Sequence, residues 1–187
     1  PSDFALLPGP FQLLPTLKLD WAAQASGGNP SVTHNSDPAK VVQNGSAQFR
    51  IDEVSQHPGR NGELSIIRFT VPQSGAYNVD AVFTHADTRH GTTDAHVLLN
   101  GLPLTDGVVS TSANVSLSRI VDLNEGDFLE FVVGNGPNSN FFFDTTGLKA
   151  SVVPTWKSDG SYQVDLQSGE TITGVDFGNK VSSDSDN

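Results

Sequence analysis

The stretch FTHADTRHGTTDAH at residues 83–96 gathers His85, His90 and His96, three of the chain's five histidines, with Asp87, Asp94 and Arg89. Neutral imidazoles and carboxylates at short range are transition-metal ligands, and His85, Asp87, His90 and His96 are the side chains that could converge on an ion. Their spacing fits no standard metal motif, so a small metal-dependent enzyme centred on His85, His90 and His96 requires the fold to bring them together. A second chemistry suits the same segment. Sugar hydroxyls are met by paired donors and acceptors, and His85, Asp87, Arg89 and His90 offer both kinds where a strand gives way to a loop. The third reading is a solvated polar turn between strands.

A sugar site gains from a flat ring against the C–H face of a pyranose, and Trp21 and Trp156 are the two tryptophans that could supply one. Trp21 is preferred, because Trp156 follows Pro154 at a compositional boundary and is expected to pack the end of the chain. Phe141, Phe142 and Phe143 cannot all be buried by one flat strand, since neighbouring side chains point to opposite faces. One ring is therefore expected at the surface, covered by a terminal hairpin or a partner. Arg68 lies mid-strand among apolar residues and is expected to pair with a carboxylate, to meet a ligand, or to cover its strand from outside. His57, before Pro58-Gly59, has a structural use in bonding the turn and is left out of the site.

Hydrolytic chemistry finds little support. The chain has no Cys, no GxSxG elbow and no HExxH. A carboxylate pair for glycoside cleavage cannot be chosen from sequence, and the chain is short for a sandwich that must build a groove around a polysaccharide. A non-catalytic role is expected.

The elements that must hold these residues read as strands. Gly (18) and Pro (11) are frequent, helix formers are sparse, and period-two alternation recurs. Ala47, Phe49 and Ile51 alternate with polar residues, as do Ile67, Phe69 and Val71, and most clearly Tyr77, Val79, Ala81 and Phe83 after the turn PQSG. Asn100-Gly101 suits a two-residue turn and predicts a hairpin over 94–104. Further strands are expected at 107–110, 114–121, 126–134, 140–144 and 147–153, with TLKLDW as a first edge strand and QASGGNPSVTHNSDP as loop. Short antiparallel strands in one domain of this length close their edges best as a two-sheet β-sandwich, often a jelly roll, with an up-and-down barrel as the other solution.

The domain expectation is a β-sandwich over 1–153, irregular over 1–45, then a C-terminal β-hairpin at 154–180 and an acidic polar linker at 181–187. A net charge of -11 leaves no basic stripe for nucleic acid, and no apolar run approaches the roughly 20 residues that cross a bilayer. Neither nucleic acid nor membrane is expected as a partner. A start at Pro1 without any Met suggests a segment cut from a longer protein.

Taken together, QHPG, IIRFTVPQSGAY, VLLNG, LNEGDFLEFVVGNG and FFFDTTGLKASV resemble the β-sandwich modules of large secreted bacterial proteins, related in look to jelly-roll carbohydrate-binding modules. GSYQVDLQSGETITGVDFGN resembles the closing hairpin of repeated β-modules in bacterial surface proteins. The resemblance implies an extracellular module that binds polysaccharide or oligosaccharide beside neighbouring domains of the same chain. It also implies a structural calcium near a sandwich end, for which Asp144 is the leading carboxylate, ahead of Asp20, Asp122 and Asp127. The alternative implied is a structural or adhesive spacer, calcium-stabilised and without sugar affinity.

Overall fold

The structure, a computed structural model, describes residues 29–155, together with the backbone of 12–14 and 19–23. The chain divides into two units, Pro1–Thr155 and Trp156–Asn187. The hairpin and linker expected beyond residue 155, and Trp156 with them, lie outside the described residues.

Among the described residues thirteen strands are formed: β1 (Gln12–Leu14), β2 (Leu19–Ala23), β3 (Ser31–Asn35), β4 (Val42–Asn44), β5 (Ala47–Phe49), β6 (Val54–His57), β7 (Ser65–Thr70), β8 (Gly75–His85), β9 (Thr93–Leu99), β10 (Leu102–Val109), β11 (Val115–Leu123), β12 (Phe128–Gly134) and β13 (Thr146–Pro154). One sheet runs β1-β2-β3-β6-β13-β8-β11 and the other β10-β9-β12-β7, with β4-β5 as a small separate pair. Antiparallel pairing is nested: β9 with β10, β8 with β11, β7 with β12 and β6 with β13. That is a jelly roll, a long two-stranded ribbon folded over so that its halves face one another.

The alternation in β8 places Tyr77, Val79, Ala81 and Phe83 inward at no more than 2% exposure, where they meet Val97, Leu129, Phe131 and Val133 of the opposite sheet. Each such side chain contributes roughly 1.5–3 kcal/mol by leaving water. Asn100 and Gly101 take φ of 50° and 80°, the left-handed turn that the dipeptide favours. The hairpin is longer than expected: the segment at 107–110 continues β10, which passes a bulge between Pro103 and Thr105.

Four expectations are corrected. Ile51 is not buried; β5 stops at Phe49 because the chain turns at Asp52 with φ 61°. SVTHN, expected as loop, is strand β3, whose inward residues Ser31, Thr33 and Asn35 are polar and so escape a hydrophobic period. β2 is not an edge, because β1 pairs outside it. Residues 140–144 are not a strand: the Asn138 and Asn140 side chains accept from the amides of Asn140 and Phe142 at 3.0 and 2.9 Å, giving successive Asx turns that compete with a ladder.

Candidate functional site

Two loops meet at the end of the sandwich where β8 stops and β13 begins. The first, residues 86–92, is held by its backbone: the Ala86 amide donates to Thr145 O at 2.8 Å, Gln48 N–H to Ala86 O at 2.8 Å and Thr88 N–H to Ser46 O at 2.9 Å. Asp87 Oδ1 accepts the Arg89 amide at 3.0 Å, and His85 Nε2 bonds Arg89 O at 2.7 Å. Arg50 ties the end of β8 down, donating to Thr84 Oγ1 and to His85 O, each at 2.9 Å.

The second loop, residues 135–145, is tied to β9 by Asp94, which accepts the Gly136 amide at 2.6 Å and bonds His96 Nε2 at 2.9 Å. The bond from His96 holds the Asp94 carboxyl below its usual range, and the same contact raises His96 above 6.5. Gly91 locks the loops together: a Cβ there would collide with Phe143 O and stand 2.9 Å from Asp144 Oδ1. Phe143 adopts φ 66°, a left-handed conformation that is an outlier for a bulky residue. This turn separates an outward ring from the inward carboxyl of Asp144.

The outer surface made by the two loops is aromatic and cationic. The Arg89 guanidinium lies 4.9 Å from the centroid of Phe143. Phe142 is 55% exposed and its ring centroid is 4.4 Å from that of half-buried Phe141, which meets the His57 ring edge-on at 6.1 Å. His57 Nδ1 bonds Pro58 O at 2.8 Å, the structural use expected of it, and burial lowers its pKa. His90 is exposed, with Nδ1 3.4 Å from Thr111 Oγ1.

The two loops carry four buried side-chain oxygens that have no hydrogen-bond partner among the described residues. Asp144 is 0% exposed, and neither carboxylate oxygen has a hydrogen-bond partner; Thr92 Oγ1 and Asn135 Oδ1 are orphaned in the same way. Desolvation pushes Asp144 up to about 8, with Asp87 and Asp94 adding repulsion, while the nearby Thr92 amide opposes the rise without reaching hydrogen-bond geometry. A buried carboxylate without a hydrogen-bond partner suits a hard cation that prefers oxygen ligands.

The sequence-selected residues are thus sorted. Asp87, Arg89 and His90 share one loop. His85 is corrected from a sugar contact to a brace, since it is 8% exposed and bonded to Arg89 O. Trp21 is not part of this cluster: it lies in register with Thr33, Ser55, Gly147 and Thr84 across β2-β3-β6-β13-β8, four strand spacings or roughly 19 Å along the sheet from β8. The histidine centre is not assembled either. His85, His90 and His96 bond Arg89, Thr111 and Asp94 respectively, and no group of three or more His, Cys, Asp or Glu among the described residues is placed to hold a metal ion. Sequence reading missed Arg50, Thr92 and Asn135 and gave Asp94 no role, because the Arg50 and Asp94 bonds join residues far apart in the chain and Thr92 and Asn135 carry no local signal.

No family model and no curated protein matches this chain. Solved structures of similar fold include a CBM51 module from Clostridium perfringens in complex with methyl-galactose, at 10% identity over 71% of this chain and 92% of that one, TM-score 0.46. A structure of CBM51-2 in complex with GlcNAc and INT domains of ZmpB from the same organism is 14% identical over 55% of this chain, which spans only 22% of its length, TM-score 0.42. A family 35 carbohydrate binding module from Clostridium thermocellum is 16% identical, covering 65% and 97% of the two chains, TM-score 0.34. At these identities and TM-scores the likenesses carry no ligand to this chain.

Proposed function

We propose that this chain is a non-catalytic carbohydrate-binding module of a larger secreted bacterial protein, tethering it to polysaccharide through the 86–92 and 141–143 loops. The observation that carries the reading is Phe142, 55% exposed on a loop whose backbone is pinned by Asx turns, beside the Arg89-covered ring of Phe143. Exposed rings on a rigid support offer apolar area to a sugar at little entropic cost, and Asp87, Arg89 and His90 stand ready for its hydroxyls. Affinity electrophoresis against neutral and anionic polysaccharides tests this: retardation by at least one glycan is expected, and Phe142→Ala should weaken it about tenfold, roughly 1.4 kcal/mol. A panel that retards neither protein rejects the reading.

A structural calcium belongs to the same proposal. Asp144, Thr92 and Asn135 would hold it, supplying a carboxylate and neutral oxygens at the root of both loops. The ion would neutralise the buried carboxylate and keep the two loops together. The competing spacer reading draws on these same buried oxygens: calcium would stiffen the sandwich end, and sugar affinity would be absent from wild type and variant alike.

A further inference from the structure

Among the described residues an arginine-on-phenylalanine pair occurs twice. Arg68 lies 4.4 Å over Phe128, and the edge of its guanidinium is occupied by Glu130, with Nε and Nη2 donating to Oε1 at 3.0 and 2.6 Å. Arg89 lies 4.9 Å over Phe143, and among the described residues no acceptor meets its guanidinium. The neighbouring carboxylate does not fill that role, because Asp87 Oδ1 is turned to the Arg89 backbone amide.

Stacking uses the face of a guanidinium and leaves its in-plane N–H groups free for a bidentate carboxylate. On the first pair the protein supplies that carboxylate; on the second it does not. We infer that the Arg89 pair reads a carboxylate on the ligand, so the glycan recognised contains an acidic sugar, a uronate or similar acid, whose ring rests on Phe142. This rests on the carbohydrate-binding reading above and narrows its ligand class. The net charge of -11 does not by itself oppose it, since at physiological salt charges beyond about 8 Å are largely screened, and the near carboxylate, Asp87, is engaged by the Arg89 backbone amide.

The test is calorimetric titration of the full chain with polygalacturonate, alginate and glucuronoxylan, each beside its carboxyl-reduced, uncharged counterpart. At least one acidic glycan should bind about tenfold or more tightly than its reduced form, as a charge-assisted bond to one group implies. Arg89→Gln should abolish the difference, and Arg89→Lys, which keeps the charge and loses the fork, should retain part of it. Equal binding of acid and reduced forms, or a preference that survives Arg89→Gln, overturns the inference and leaves the module reading standing. Binding to neither form of any glycan overturns both.

Discussion

Arg68 and Arg89 show how the same pair of side chains serves different ends at two places in one molecule. Arg68 sits in β7 with Glu130 directly opposite in β12, and that carboxylate is 2% exposed. A ladder supplies a cross-strand neighbour by geometry, so the charge is met within the sheet. Arg89 sits on a loop with no strand across from it, and its charge faces solvent over Phe143. The sheet absorbs polar groups; the loop presents them.

The largest expected effect breaks the pair apart by its consequences. Arg68→Ala should destabilise the protein by about 2–3 kcal/mol, less than for a fully buried pair because solvent reaches the guanidinium, since it leaves the Glu130 carboxylate unpartnered by charge. Arg89→Ala should change stability by no more than about 0.5 kcal/mol while reducing glycan binding. Urea unfolding of the two variants makes the measurement, and equal losses would erase the distinction drawn between sheet and loop.

A comparable effect should come from calcium beneath the loops. At one hundred times its dissociation constant the ion adds about 2.7 kcal/mol, read as a rise in Tm over an EDTA control. The sign with pH follows from Asp144, held at about 8 in the fold against 3.8 as an ordinary carboxyl. The unfolded chain sheds this proton first, so without the ion stability falls as pH rises between those values. Calcium requires the carboxylate, so its stabilisation should grow over the same window, and Asp144→Asn should remove both dependences.

The smallest effect concerns Asp94 and His96, which tie the second loop to β9. His96 is raised above 6.5, so its contribution is fully present below that pH and is lost as pH climbs through its value in the fold. Both groups are about one-third exposed, so the change should be a few tenths of a kcal/mol. Thermal unfolding of wild type and His96→Gln between pH 5.5 and 8.5 resolves it, with the slope flattened in the variant.

Much of this architecture can be read along the chain. Tyr77, Val79, Ala81 and Phe83 recur at every second position, with Val82 the one apolar residue between them, and Asn100-Gly101 names its own turn, because both signals are local and chemically distinctive. β3 is invisible by the same rule: its inward face is Ser31, Thr33 and Asn35, satisfied by hydrogen bonds such as Asn35 Nδ2 to Phe49 O at 2.9 Å. In the site, Arg89 and Asp87 are legible as a polar loop, and Asp144 as a carboxyl at a strand entry. The exposed ring is less so. Phe142 could be foreseen only as one of three rings too many for a strand, while the Asx turns that set it outward depend on Asn138 and Asn140 choosing their own backbone over a ladder. Thr92 and Asn135 carry no local mark, and their importance comes from being left unbonded where β8, β9, β12 and β13 end.

The nested pairing has a kinetic consequence. β6 and β13 are the outermost rungs, joining residues as far apart as Val54 and Leu148, so the loop they close is long and the fold belongs to the slow, high-contact-order class. Asp144 lies two residues before β13, so its buried carboxyl and the ring of Phe143 are placed by the pairing of largest sequence separation in the nest. If that rung zips last, an ion or ligand bound there should slow unfolding and leave the folding rate unchanged, which stopped-flow refolding and unfolding with and without calcium would read.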